Sequence, residues 1–279
     1  MRKYAEAAYR GREWGVAGGK AAELNLGDVQ TTALIPLAVR ANENLRSNAR
    51  IKDWKAVEII RSLGIDTKPY DKFLSHEGVV ARTIMLDRQL KKIIKEHPDT
   101  VVVNIGAGFD NRFERVDNGE IYWFDFDLPD MIEARRKVFK EQDRVTMMDG
   151  DILTDSWCKE VKAVLKGRRS RPVFIAEGLF MYLTMGQIRE AVTILKTNFP
   201  DGILIAEQNS RLMARHSRQH DTVRNTNAEF RSGTDSAEEI AALTDGIRLV
   251  GEHSFNEEMK KHSVRGKLFA LLLPKMNDR

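Results

Sequence analysis

Hydrophobic and polar positions divide the chain into two parts with different periods. In the first third, apolar residues recur at the three- and four-residue spacing of helices, as in residues 33–39 (ALIPLAV) and 54–63. After that, short apolar runs alternate with polar segments of helix length. We therefore predict an N-terminal helical cap over residues 1–90 and a larger core over residues 91–279.

Five apolar runs in the core have the length and composition of β-strands. They are residues 101–105 (VVVNI), 120–126 (EIYWFDF), 144–149 (RVTMMD), 172–178 (PVFIAEG) and 202–208 (GILIAEQ). Helix-length segments separate them, so consecutive runs should form βαβ units and a parallel sheet. Their nearly continuous apolar character indicates strands that are covered on both faces.

Two later runs predict further strands. Residues 247–255 (IRLVGEHSF) and 267–274 (KLFALLLP) are expected to close the sheet as a hairpin. They follow a polar, arginine-rich helical insertion at about residues 209–240. The predicted fold class is therefore α/β, with a doubly wound sheet of seven strands and a helical cap.

The helix expected over residues 184–198 has the clearest local signals. Thr184 and Gln187 have the spacing of a capping box, in which each side chain bonds the backbone of the other residue. One face of the helix carries four apolar residues, which are Ile188, Ala191, Val192 and Leu195.

Composition narrows the class of protein. The chain has 279 residues, a formal net charge of +4 and one cysteine, Cys158, which cannot form an internal disulfide and fits a reducing compartment. The longest apolar run, residues 268–273, is too short to cross a bilayer. Basic and acidic residues alternate along most of the chain, and the cluster at residues 166–171 (KGRRSR) reads as an exposed loop. We predict a soluble, cytoplasmic protein without nucleic-acid or membrane partners.

The turn after the first strand indicates the type of ligand. Gly106 and Gly108 would let a ligand approach the backbone, but Asn111 occupies the third glycine position of the dinucleotide fingerprint. Asp110 adds a negative charge that disfavours a pyrophosphate at this point. A cationic or zwitterionic nucleoside suits the turn better, and S-adenosylmethionine, which carries a sulfonium and no phosphate, is such a ligand.

Acidic residues follow three successive strands of the predicted sheet, at the edge where α/β sheets bind ligands. They are Asp125 and Asp127, then Asp149 and Asp151, then Glu177. An acid after the second strand can accept both ribose hydroxyls, and position alone leaves Asp125 and Asp127 equivalent. An acid after the third strand can accept from the adenine amino group while the backbone N–H of Ile152 reaches a ring nitrogen. Glu177 would then face the methionine end.

Four ordered motifs resemble a known family. They are residues 104–113 (NIGAGFDNRF), 122–130 (YWFDFDLPD), 149–152 (DGDI) and 176–184 (AEGLFMYLT). Together with residues 32–34 (TAL) and 40–43 (RANE), they resemble the leucine carboxyl methyltransferases, over about residues 30–208. This family includes protein phosphatase methyltransferases and tetracenomycin-type polyketide O-methyltransferases.

The resemblance implies a Rossmann-like class I methyltransferase fold and S-adenosyl-L-methionine as cofactor. It also implies cofactor-binding roles for Arg82, Gly106, Asp127, Asp151, Ile152 and Glu177. Arg82 would clamp the methionine carboxylate with its guanidinium fork, and Gly106 would lie beneath the methionine portion. Among the two acids after the second strand, the family pattern selects Asp127. A cationic contact near the family's N-terminal helices has no match here, and Gln30 and Thr31 lie near that position.

The implied reaction is O-methylation of a carboxyl or hydroxyl group on a small, polyketide-like molecule. A carboxylate acceptor is already ionised at neutral pH and requires no general base, so we assign no catalytic residue. Tyr182 is a candidate to line the acceptor pocket, and His216 and His220, four residues apart, are candidates to contact the acceptor. We predict no metal site, because the two histidines lack a third ligand at helix spacing.

Three other functions remain open from the sequence. One is methyl esterification of a protein C-terminal carboxylate, and another is cofactor binding without catalysis. The third, a nicotinamide-dependent oxidoreductase, is disfavoured because Asn111 breaks the dinucleotide fingerprint. Oligomeric state cannot be read from these patterns.

Overall fold

A five-stranded parallel sheet forms the centre of the computed structural model, which describes residues 27–215, 228–262 and 267–268. The strands are β1 (Val101–Ile105), β2 (Tyr122–Asp127), β3 (Val145–Asp149), β4 (Val173–Ala176) and β5 (Ile203–Ala206). Each falls on one of the five predicted runs, which confirms those predictions. The spatial order is β3-β2-β1-β4-β5, so the order reverses between β1 and β4.

Helices surround this sheet. Before β1 the chain forms α1 (Asp28–Thr31), α2 (Leu34–Leu45), α3 (Trp54–Ser62) and α4 (Phe73–Glu96). After β1 it forms α5 (Arg112–Val116), α6 (Pro129–Arg136), α7 (Cys158–Leu165), a 3₁₀ helix (Phe180–Tyr182), α8 (Met185–Asn198), α9 (Arg211–Arg215), α10 (Ala237–Ala241) and α11 (Phe255–His262). Thr184 and Gln187 make both bonds of the predicted capping box at the start of α8.

Both faces of the sheet are buried, which explains the continuous apolar runs. On one face, Val103 of β1 belongs to a cluster with Val161 of α7 and Leu195 of α8. On the other, the neighbouring Val102 belongs to a cluster with Leu90 of α4. Adjacent strand residues point to opposite faces, so every position in β1 is buried by one helical layer or the other.

The N-terminal helices pack beside the sheet through a separate apolar cluster. Leu37 of α2 and Ile59 of α3 lie in this cluster with Phe109, which follows β1, and Met131 of α6. The last of the four helices before β1, α4, crosses the predicted boundary between cap and core at residue 90. It contributes Leu90 to the apolar layer on the sheet.

The predicted C-terminal hairpin requires correction. Residues 247–254 contain no strand, α11 begins at Phe255, and Val250 is 83% exposed. The apolar residues of this run are thus not covered by a neighbouring strand, whereas Met259 of α11 is fully buried. Of the second run, only Lys267 and Leu268 are described, and they are helical. The described sheet therefore has five strands and not seven.

The predicted insertion at residues 209–240 is described in part. It contains α9, the start of α10 and a stretch without helix or strand at residues 228–234, while residues 216–227 lie outside the described ranges. Among the helices that are described, none has the length and apolar character needed to span a membrane.

Candidate active site

A cavity of about 670 Å³ opens at the carboxyl edge of the sheet. The structure brings seven of the predicted site residues to its wall, which are Arg82, Gly106, Asp127, Asp151, Ile152, Glu177 and Tyr182. Gln30 of α1, at the position without a family match, also lines it. The other two predicted residues, His216 and His220, lie outside the described residues.

The glycine turn after β1 forms the floor of the cavity. Gly106 has φ +68° and Gly108 has φ +48°, in the left-handed region that favours glycine. The N–H of Gly106 donates to the Phe126 carbonyl at 2.8 Å, which ties the turn to the end of β2. A Cβ added at Gly108 would lie 3.1 Å from the Ala33 Cβ, so the helical cap closely approaches the turn.

The structure distinguishes the two acids that sequence position left equivalent. Asp127 lines the cavity and accepts N–H bonds from Gly108 and Leu128, both at 2.8 Å. Burial raises the pKa of Asp127 to about 6, although the two N–H bonds favour its ionised form. Asp125 is buried inside β2, where it accepts from Trp123 Nε1 and Arg135 Nη2, and it does not line the cavity.

Beyond β3, Asp151 and Ile152 form one end of the cavity. Asp151 is exposed, and its Oδ1 accepts the N–H of Leu153 at 2.9 Å. The side chain of Ile152 is buried, and its backbone N–H has no hydrogen-bonding partner among the residues described. Asp149, by contrast, is half exposed and does not line the cavity.

Arg82 lies between two carboxylates at the ends of β4 and β5. Its Nη1 donates to both oxygens of Glu207 at 3.1 Å, and its Nε lies 2.7 Å from Glu177 Oε1 without the alignment of a hydrogen bond. Within the described ranges, Nη2 of Arg82 has no hydrogen-bonding partner. Burial tends to lower the pKa of Arg82, but the two carboxylates raise it by more. The net pKa lies above the ordinary arginine value, so the side chain stays protonated.

The sequence reasoning missed Glu207. This residue follows β5 as Glu177 follows β4, in the matching triplets AEQ and AEG, so the signal was present. Glu207 accepts the N–H of Gly178 at 2.7 Å, and burial raises its pKa although Arg82 opposes the shift. Burial also favours the neutral form of Glu177, but the charges of Arg112 and Arg82 lower its pKa below the usual range.

Arg112 connects Glu177 to a buried ion network that the sequence did not reveal. Its guanidinium bonds Glu177, Asp110 at 2.8 Å and Asp87 at 2.7 Å. Arg115 bonds Asp87 and Asp110 as well. The complete network contains five carboxylates, of Asp53, Asp87, Asp110, Glu177 and Glu207, and four guanidinium groups, of Arg40, Arg82, Arg112 and Arg115.

The charge balance modifies the expectation for Asp110. Burial would raise the pKa of Asp110, but Arg112 and Arg115 lower it, and both oxygens are paired. Because its charge is paired, Asp110 repels a phosphate less strongly than its place beside the glycine turn led us to expect. Asp127 and Asp151 also line the cavity, so its wall carries more carboxylates than guanidinium groups.

Another part of the cavity wall is aromatic and apolar. The rings of Tyr182 and Phe230 meet edge to face with centroids 5.7 Å apart, and Leu212 and Met213 line the same region. The Tyr182 hydroxyl donates to Thr32 Oγ1 at 3.3 Å, and burial raises the pKa of this phenol, which is neutral at pH 7. Phe230 is a second residue that the sequence reasoning missed.

The α/β sheet with an acid-lined cavity at its switch point fits a methyltransferase that uses S-adenosylmethionine, and the family comparison shows that class. The family profile of the leucine carboxyl methyltransferases matches residues 33–195, more than half of the chain. The chain belongs to the leucine carboxyl methyltransferase family.

The chain is also similar to individual known proteins. The tetracenomycin polyketide synthesis O-methyltransferase TcmP of Streptomyces glaucescens is 27% identical over 229 residues, covering 81% of this chain and 83% of that protein. A Thermobifida fusca structure assigned to the methyltransferases has a TM-score of 0.50 at 13% identity, covering 76% of this chain and 80% of that one. A DUF574 family structure from Streptomyces avermitilis has a TM-score of 0.50 at 12% identity, covering 82% and 92%. The two structures share a methyltransferase-like α/β fold with this chain.

Proposed function

We propose that this enzyme transfers the methyl group of S-adenosylmethionine to an oxygen atom of a small, polyketide-like molecule. The observation that carries the proposal is one cavity with a carboxylate-rich end and an aromatic end. Its volume of about 670 Å³ falls within the range of about 300–1,000 Å³ typical of small-molecule sites. The relative TcmP, an O-methyltransferase of polyketide synthesis, supports the acceptor class.

The residues present fit the nucleoside end of the methyl donor. Asp127 offers carboxylate oxygens to the ribose hydroxyls, and burial increases the strength of such bonds. The unpaired N–H of Ile152 and the exposed carboxylate of Asp151 suit the edge of an adenine, which presents both acceptors and donors.

The residues present also fit the methionine end. The unpaired Nη2 of Arg82 is a donor for a carboxylate, and the ionised Glu177 is an acceptor for an ammonium group. Gly106, with no side chain, lets a ligand approach the turn. When bound, S-adenosylmethionine supplies an electrophilic methyl group on a positively charged sulfur, and the carboxylates of the cavity wall favour this charge.

The chain's contribution to the reaction is alignment and exclusion of water. Methyl transfer forms a bond from the acceptor oxygen to the methyl carbon while the carbon–sulfur bond breaks and leaves its electron pair on sulfur. A carboxylate acceptor releases no proton, and a phenol passes its proton to water. We assign no general base, because Tyr182 is itself neutral and the two histidines are outside the described part of the chain.

The experiment is a transfer assay with radiolabelled S-adenosylmethionine. Acceptors are hydroxynaphthoic acids, anthraquinone carboxylic acids and, in a separate arm, a peptide with a free C-terminal leucine. We expect label in an aromatic small molecule. Label in the peptide would instead establish protein carboxyl methylation, and donor binding without transfer in either arm would indicate a non-catalytic protein.

The proposal also covers the domain division of the chain, the role of two histidines and the cellular compartment. We propose that residues 1–90 act as a cap over a doubly wound core, since helices cover both sheet faces, and that His216 and His220 contact the acceptor. A cytoplasmic location is supported by the single cysteine, Cys158, which cannot form an internal disulfide.

A further inference from the structure

One buried amide at the aromatic end of the cavity lacks a partner. Among the described residues, buried side-chain nitrogen or oxygen atoms without a hydrogen bond belong to only two residues that line the cavity, Arg82 and Asn209. The Arg82 Nε is 2.7 Å from a carboxylate oxygen of Glu177, so its charge is compensated. The Nδ2 of Asn209 has no such neighbour. An unpaired buried donor is costly, and native proteins retain few of them.

Hydrogen bonds fix the backbone at Asn209. The N–H of Asn209 donates to Gln208 Oε1 at 3.0 Å, and its carbonyl accepts from the Thr234 N–H at 2.9 Å. Gln208 Nε2 in turn donates to Ser232 Oγ at 3.0 Å. The unpaired amide therefore extends from a backbone that hydrogen bonds hold in place, as expected of a donor that is preorganised for a ligand.

Sheet order separates Asn209 from the nucleoside end of the cavity. Asn209 follows β5, whereas Asp127 and Asp151 stand at the ends of β2 and β3, across β1 and β4 from β5. The aromatic wall of Tyr182 and Phe230 lines the same cavity. The segment that carries Phe230 is attached to the 3₁₀ helix by a bond from the Arg231 N–H to the Met181 carbonyl at 2.7 Å.

We propose that Asn209 determines acceptor specificity by donating a hydrogen bond from Nδ2 to an oxygen of the methyl acceptor. The acceptor is an aromatic compound whose ring packs against Tyr182 and Phe230 and whose carbonyl, carboxylate or phenolate oxygen meets Asn209. This inference rests on the proposed function and names the group that recognises its substrate.

The test is calorimetric titration of 3-hydroxy-2-naphthoic acid into protein saturated with S-adenosylhomocysteine. We expect the native complex to bind this probe, and Asn209→Ala to weaken binding at least tenfold while the affinity for S-adenosylhomocysteine changes less than twofold. If Asn209→Ala fails to fold, Asn209→Ser replaces it, because its hydroxyl is too short to reach the same oxygen. Native affinity for the probe in a folded variant that binds S-adenosylhomocysteine would overturn the inference.

The matched control is Asn44→Ala. Asn44 also has a buried Nδ2 without a partner, but it lies on α2 and does not line the cavity. Its Oδ1 accepts the N–H of Asp53, so this variant should lose stability and keep both affinities. Failure of the native protein to bind S-adenosylhomocysteine would refute the proposed function itself. Failure of the native complex to bind the probe would refute only the acceptor inference.

Discussion

The two ends of the cavity are built from different chemistry. At the end formed by β1, β2 and β4, and at Glu207 after β5, ionised side chains such as Glu177 and Arg82 are buried and paired with one another. At the other end, Tyr182 and Phe230 contribute aromatic rings, and Asn209 contributes an unpaired amide. At the first end, the charged groups are already positioned before any ligand binds. At the second end, recognition depends mainly on the shape of the aromatic wall.

This difference indicates how specificity is divided. A charged, preorganised region selects strongly for one ligand, because an unmatched charge or donor remains costly. An apolar wall discriminates weakly between molecules of similar shape. We therefore expect the methyl donor to be recognised strictly and the acceptor to be recognised by aromatic area and one hydrogen bond.

The largest effect should come from breaking the ion network. Arg112→Ala leaves Asp87, Asp110 and Glu177 with less compensation in a buried environment, and it should lower the free energy of unfolding by about 3–5 kcal/mol. Urea denaturation measures this change. The control is Arg144→Ala, which removes a partly exposed pair with Asp117 and should cost about 0–1 kcal/mol. Equal losses in the two variants would contradict the buried network.

The next effect concerns the donor end directly. Asp127→Ala should weaken S-adenosylmethionine binding by about 1–3 kcal/mol, the range for a lost charge-assisted hydrogen bond. Calorimetry should show no change for Asp149→Ala, whose side chain is half exposed at the same sheet edge but outside the cavity. Unchanged affinity in Asp127→Ala would remove this residue from the site.

The same carboxylate predicts a pH dependence. Burial raises the pKa of Asp127 to about 6, and its ionised form is the one that accepts from both ribose hydroxyls. Donor affinity should be nearly constant above pH 7 and should be about tenfold weaker at pH 5, where about one tenth of Asp127 is ionised. Calorimetric titrations from pH 5 to 8 measure this curve, and Asp127→Asn should be flat across it. A fall in affinity as the pH rises would have the wrong sign.

The smallest effect belongs to the acceptor end. Tyr182→Phe removes a long hydrogen bond to Thr32 but keeps the ring against Phe230, so acceptor binding should weaken by at most about 0.5–1 kcal/mol. Steady-state kinetics should show a modest rise in the acceptor KM with an unchanged donor KM. A large rise in the donor KM would place Tyr182 at the other end of the cavity.

Local patterns explain why much of the fold could be predicted. The strand runs were visible because burial on both faces makes β1 apolar at nearly every position, and Thr184 with Gln187 formed a capping box three residues apart. The acids at strand ends required only strand positions and the parallel order. Each of these signals comes from residues that are only a few positions apart in the sequence.

What was missed depends on contacts between distant residues. Arg112 meets Asp87 and Glu177 from 25 and 65 residues away, and Phe230 meets Tyr182 across 48 residues. No local pattern specifies such pairs. The predicted strand at residues 247–255 was wrong because an apolar run alone does not determine whether a neighbouring strand covers it.

The most direct measurement of the central claim is a crystal structure of the protein with S-adenosylhomocysteine. We predict the ribose hydroxyls within hydrogen-bonding distance of Asp127, the amino-acid end at Glu177 and Arg82, and the sulfur facing the wall of Tyr182 and Phe230. Density for the ligand elsewhere on the protein, or an amino-acid end that approaches neither Glu177 nor Arg82, would contradict the account.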